Sequence, residues 1–158
     1  MRELGTESAL LRRVWAVWRG LPRRGDLPRR ADFSPTLLAP EDLRYILLVE
    51  VIDGGRDFAY RLVGTGVVQA VGKEFTGLKL SEHLDEHEVP ELFADYRRAV
   101  QQRTPTLFQG GMLRFDKDWM AYERLSLPLV DDGGRVSVLL GAADFGPIDP
   151  PAGGRPLG

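Results

Sequence analysis

Three groups of residues have the types and spacing that chemistry needs. Gly64, Thr65 and Gly66, in "YRLVGTGVVQAVG", stand where a strand-like run hands over to a helix-like one, the junction at which a glycine-rich turn brings backbone N–H groups up to a phosphate. His83 and His87 are four apart, the interval that puts two imidazoles on one helix face for a metal or a haem. Arg61, Glu123 and Arg124 are charges set in otherwise apolar, strand-like runs, and a buried charge needs a partner or a ligand.

Each group also has a plainer reading. A dinucleotide fingerprint needs a third glycine and a returning strand, but Gln69 occupies the third position and "GKEFTGLKLSEHL" follows with no apolar strand. The glycines are therefore read as permitting a tight exit from a strand into a short helix. Around the histidines, Asp85, Glu86 and Glu88 make a solvated surface and Pro90 opens a new helix, so no metal site is expected. For the charges, a structural Arg61–Glu123 ion pair is favoured, the alternative being that one of them, or Arg124, faces a cavity and holds an anionic ligand. Cysteine is absent, which removes disulfides, thiolate ligands and any cysteinyl photoadduct. No G-x-S-x-G, HExxH or P-loop motif occurs, so no catalytic residue is named and the expectation is a protein that is not an enzyme.

The elements that must position these residues follow from pattern. The 158 residues, 43% hydrophobic, suffice for one core of ordinary domain size, and 21 basic against 23 acidic residues leave no overall bias toward a polyanion. Leu11, Trp15 and Trp18 fall at i, i+4 and i+7 of an amphipathic helix that Thr6 is placed to cap and Gly20-Leu21-Pro22 to end. Too short to be stable alone, it must dock on a sheet or a second subunit. Arg12, Arg13, Arg19, Arg23, Arg24, Arg29 and Arg30 concentrate positive charge in this first fifth, and "LPRRGDLPRRADFSP" reads as an extended connector with Ser34-Pro35 starting a helical turn. The apolar run 45–52, "DGGRD" and "FAYRLVG" make a hairpin. Short helices are expected over 65–88 and a longer one from Pro90 to Thr104. Three β-rich runs close the chain, the last two joined at Asp131-Asp132-Gly133-Gly134, with Pro128 near a strand end or an edge. Arginines interrupt the only apolar stretch near the N-terminus, and no later run has the roughly 20 apolar residues of a membrane span, so a cytoplasmic location is expected. Helix, two strands, helices and three strands describe an α+β layer.

In order and spacing, the Trp15/Trp18 helix, "LPRRADFSP", "FAYRLVGTGVVQAVGKEFTGLKLSEHL" and "YERLSLPLVDDGG" resemble a PAS-domain family common in alphaproteobacteria, over about positions 10 to 145. The resemblance implies a five-stranded antiparallel sheet whose helices, inserted between strands 2 and 3, close over one face and leave a small cavity. It also implies a sensory module that acts by pairing with a second copy or another signalling protein, gated by a small molecule whose identity is unknown. The cavity is expected to be lined by Phe58, Tyr60, Phe75, Phe93, Tyr96, Met112, Tyr122 and Arg124, and Leu11, Trp15 and Trp18 are expected to form the partner interface. The expected division is a helix and connector over 1–33, a core over 34–146 and a disordered tail over 147–158. Binding of nucleic acid or anionic membrane through the arginine segment is the alternative function.

Overall fold

The structure is a computed structural model that describes residues 4–113 and 119–149. The β-branched run becomes β1 (Ile46–Ile52), and "DGGRD" turns it into β2 (Asp57–Val63) through Asp53, Gly54 and Gly55 at φ 48°, 68° and 110°. The last third supplies β3 (Thr106–Leu113), β4 (Trp119–Val130) and β5 (Val136–Asp149). All pairings within the sheet are antiparallel, and the strand order is β2-β1-β5-β4-β3. β3 pairs with β4 only as far as Thr106 opposite Ser126, so Pro128, two residues from the strand end, lies where its missing N–H costs no ladder bond on that side.

A short α2 (Pro40–Leu43) precedes β1. Between β2 and β3 run α3 (Thr65–Val71), α4 (Leu80–His83) and α5 (Pro90–Gln101), three helices as the glycines and Pro90 predict. Strand residues alternate faces, so Arg124 and Glu123 mark the two sides of β4. Arg124 meets Asp95 of α5, and Glu123 meets Thr6 of the N-terminal segment. The helices between β2 and β3 thus close one face. The N-terminal segment and α1 (Ala9–Gly20) close the other, with α1 packed on β4 and β5.

Leu11 and Trp18, expected to face a partner, are instead packed in the core of this chain in this structure. Leu11, at 0% exposure, and Trp18, at 5%, are buried within the chain, and Trp18 Nε1 donates to the Pro128 carbonyl at 2.9 Å. Trp15 is half-buried and stacks on Trp18 at 5.6 Å. The sheet face offers Leu125, Leu127 and Leu129, all fully buried, and the helix satisfies its need for an apolar partner there. Ser8, not Thr6, caps α1: its Oγ accepts from Leu11 N at 3.1 Å, while the Thr6 hydroxyl is directed to the sheet. Leu27 and Phe33 of the connector are buried in the same core. β5 continues to Asp149, three residues beyond the boundary expected at 146, and the remainder of the expected tail lies outside the described residues.

Candidate functional site

The glycine pair has a steric role. Gly64 precedes α3 with φ −63°, a value open to any residue, so left-handed backbone freedom is not what it supplies. A Cβ at Gly64 would lie 2.3 Å from the Arg44 carbonyl oxygen, and one at Gly66 would lie 2.5 Å from the Tyr45 ring. The amides of Gly66 and Val67 donate to Arg44 O at 2.8 and 3.2 Å, so they bind protein backbone. α3 is thereby pressed against the chain entering β1, with Val67 and Val71 turned inward.

That placement helps to enclose a cavity of about 490 Å³ between the sheet and the helices. Leu47, Met112, Trp119, Tyr122, Ala143 and Phe145 line it from the strands, and Val67, Val71, His83, Leu92 and Tyr96 from the helices. Gly110 pairs directly with Tyr122 across β3 and β4 and carries no side chain on that face, which leaves room beside the tyrosine ring.

A polar cluster around Arg124 interrupts the apolar lining. Arg124, 6% exposed, donates from Nη2 to Asp95 Oδ2 at 2.6 Å and from Nη1 to the Tyr122 hydroxyl at 2.5 Å. The other Asp95 oxygen accepts from Arg98 at 2.7 Å. Phe108 lies 4.7 Å and Tyr122 5.7 Å from the guanidinium carbon, so ring faces as well as oxygens surround the cation. Burial opposes the Arg124 charge, but Tyr122, Tyr96 and Asp95 outweigh it and raise the guanidinium pKa. The Tyr60 and Tyr96 hydroxyls are paired with each other; burial holds the Tyr60 phenol well above its usual range and pushes Tyr96 up to about 12. Burial likewise raises Tyr122, so all three phenols keep their protons at neutral pH.

Of the cavity residues expected from sequence, Tyr60, Phe75, Tyr96, Met112, Tyr122 and Arg124 line this space. Phe58 and Phe93 do not: both are buried in the core, Phe58 edge-on to Tyr96 at 5.2 Å. The Arg61–Glu123 pair is not formed. β1 and β5 separate their strands, and exposed Arg61 pairs with Glu50 of β1 at 2.6 Å. Glu123 accepts instead from Thr6 Oγ1 at 2.5 Å and from Gln109 at 2.7 Å. Its cross-strand neighbour Asp144 accepts from Ser8 Oγ at 2.5 Å. Two like charges directly opposed across a ladder are thus bridged to the N-terminal segment by hydroxyls, which relieves an otherwise unfavourable pair.

The histidines part company. His83 is buried at the end of α4 and stacks on Phe75 at 4.2 Å; His87 is exposed in the next turn. Burial, with Lys73 nearby, lowers the His83 pKa to about 4, which leaves it neutral. No metal-binding cluster occurs among the described residues. The arginine segment is largely tied up in structure. Arg13 pairs with Asp42 and Arg29 with Asp32, Arg12 and Arg30 bond to carbonyls, and Arg23 donates to the last carbonyls of α1 while stacking on Trp18. This gives the nucleic-acid alternative no support.

Asp95 was the residue missed by sequence reasoning, although it carried a signal. It stands three residues after Leu92 and four before Ala99, on the apolar stripe of α5, where a carboxylate must have a cation to meet.

A sheet with helices closing one face over a cavity, and an amphipathic helix on the other, is the architecture of a sensory-type domain. The model of a family described as "PAS domain" matches residues 6–144, and the chain belongs to that family. No curated protein matches it. Among solved structures, a light-oxygen-voltage domain studied with a flavin analogue is similar at TM-score 0.54 and 15% identity, over 73% of this chain and 87% of that one. A variant of the protein Vivid is similar at 0.51 and 8%, over 91% and 99%. An RNA-binding light-oxygen-voltage receptor is similar at 0.51 and 17%, over 78% of this chain and 37% of its own. At these identities the likeness is one of fold. No helix among the described residues is long and apolar enough to cross a membrane.

Proposed function

We propose that this chain is a cytoplasmic sensory module in which a small molecule in the cavity sets how the N-terminal segment is held, and that it signals by non-covalent contact with a second copy or another signalling protein. One observation carries the reading: consecutive residues of β4 serve the two faces. Arg124 anchors the cavity cluster, and Glu123 holds Thr6 on the other side. A molecule that prefers one arrangement of Tyr122 and Arg124 shifts the population of β4 conformers, and with it the occupancy of the hydroxyl latch. The latch is suited to this because Thr6 and Ser8 connect the sheet directly to the cap of α1. Release of α1 would uncover the apolar stripe of Leu11, Val14 and Trp18, a surface of the kind that pairs with a partner.

Native mass spectrometry of the purified protein reads subunit number and any retained small molecule together. Hydrogen exchange over residues 4–20, with that molecule present and after its removal, reads the coupling. A change in protection there is the expected result. A change confined to the cavity residues would separate ligand binding from signalling and overturn this function.

A further inference from the structure

The cavity cluster also defines what kind of molecule it accepts, an inference that rests on the cavity being a ligand site. Apart from the Asp95 carboxylate, whose oxygens accept from Arg124 and Arg98, the polar groups around Arg124 have hydrogens to donate. Arginine has no acceptor at all. The Tyr122 hydroxyl accepts from Arg124, so its own hydrogen remains to be given; the Tyr60 and Tyr96 hydroxyls can spend at most one hydrogen on each other, so one of that pair remains as well. All three tyrosines line the cavity. A molecule lodged beside them therefore meets O–H groups in need of an acceptor.

Charge points the same way in a second respect. The Arg124 cation is compensated by Asp95 at 2.6 Å, and among the described residues the remaining charged lining residues are Glu88, in the turn before α5, and Glu91 on it. His83, which also lines the cavity, is neutral at physiological pH. An anion entering here gains an already paired guanidinium and faces two carboxylates, while a cation meets donors at the cluster. The shape is set by rings: Tyr122 and Phe145 lie nearly parallel, 12° apart at 5.9 Å, and Tyr60 and Phe75 add edges and faces.

We infer that the cavity takes an uncharged, planar aromatic molecule bearing a carbonyl oxygen or ring nitrogen, which accepts from the Tyr122 hydroxyl and from the Tyr60–Tyr96 pair. Three probes of one size and shape separate the terms: acetylnaphthalene carries the acceptor, ethylnaphthalene lacks it, and naphthoate carries it with a negative charge. Titration into the full chain, freed of any retained molecule, is expected to give acetylnaphthalene the highest affinity. Its margin over ethylnaphthalene should be about five-fold per hydrogen bond. Tyr122→Phe combined with Tyr96→Phe keeps the rings and should reduce that margin. Naphthoate should bind weakest of the three. Equal affinities, or naphthoate binding tightest, would overturn the inference and leave the cavity as a ligand site. Failure of all three, with no molecule retained on purification, would instead overturn the ligand-site reading on which it stands.

Discussion

Replacing Asp95 by Asn removes the charge that compensates Arg124 and keeps the shape of the side chain. Both groups are buried, at 8% and 6% exposure, and their atoms meet at 2.6 Å. Removing one partner of such a pair leaves an uncompensated charge in a low dielectric, at a cost of about 3–5 kcal/mol. The Asn oxygen still accepts a hydrogen bond, so the lower end, about 3 kcal/mol, is expected for Asp95→Asn. For a chain of this size that corresponds to a fall in melting temperature of about 6–12 °C. Urea unfolding is the assay, with the midpoint falling and the slope unchanged if the loss is one of native stability. Arg124→Met together with Asp95→Leu replaces the pair by apolar groups and should recover most of the loss, giving a large coupling energy in the double-mutant cycle. Arg98 also meets Asp95, but its side chain is 45% exposed and water can replace the contact. A loss below about 1 kcal/mol for Asp95→Asn, or additive single and double variants, would show that solvent reaches the pair and would refute the description of Arg124 as a buried, compensated cation.

Gly64→Ala should destabilise by about 3 kcal/mol or more, read by the same unfolding assay, since its Cβ would meet backbone oxygens of Arg44 and Leu43 that have nowhere to move. Stability should also depend on pH through His83. With a folded pKa of about 4 against an ordinary 6.5, the folded protein binds fewer protons between these values, so the contribution is complete above pH 6.5 and is lost as pH falls through 4. The loss is on the order of 2–3 kcal/mol, and His83→Phe should flatten that part of the profile. Trp18→Phe keeps an aromatic ring but removes the bond to the Pro128 carbonyl and part of the buried indole, at a cost of about 2 kcal/mol or more. Its sedimentation should match that of the parent, because Trp18 packs inside the chain.

Local pattern decided the elements. The β-branched run before "DGGRD", the glycines and proline between residues 64 and 90, and the turn at Asp131 to Gly134 each act within a few residues. Alternation within β4 then determined that Glu123 and Arg124 must point to opposite faces. Which strands lie side by side was not local. Arg61 and Glu123 were both charges in need of partners, and only the order β2-β1-β5-β4-β3 gave them Glu50, Thr6 and Gln109. Likewise the stripe of Leu11, Val14 and Trp18 required an apolar surface, and sequence left open whether it would belong to this chain or to another. Docking on β4 and β5 answered that, because the face left uncovered by α3, α4 and α5 presents a row of leucines wide enough to bury it. Composition and period specify what a side chain needs; the neighbour that supplies it, brought from 29 positions away for Asp95 and Arg124 and 110 for Trp18 and Pro128, is decided by the sheet.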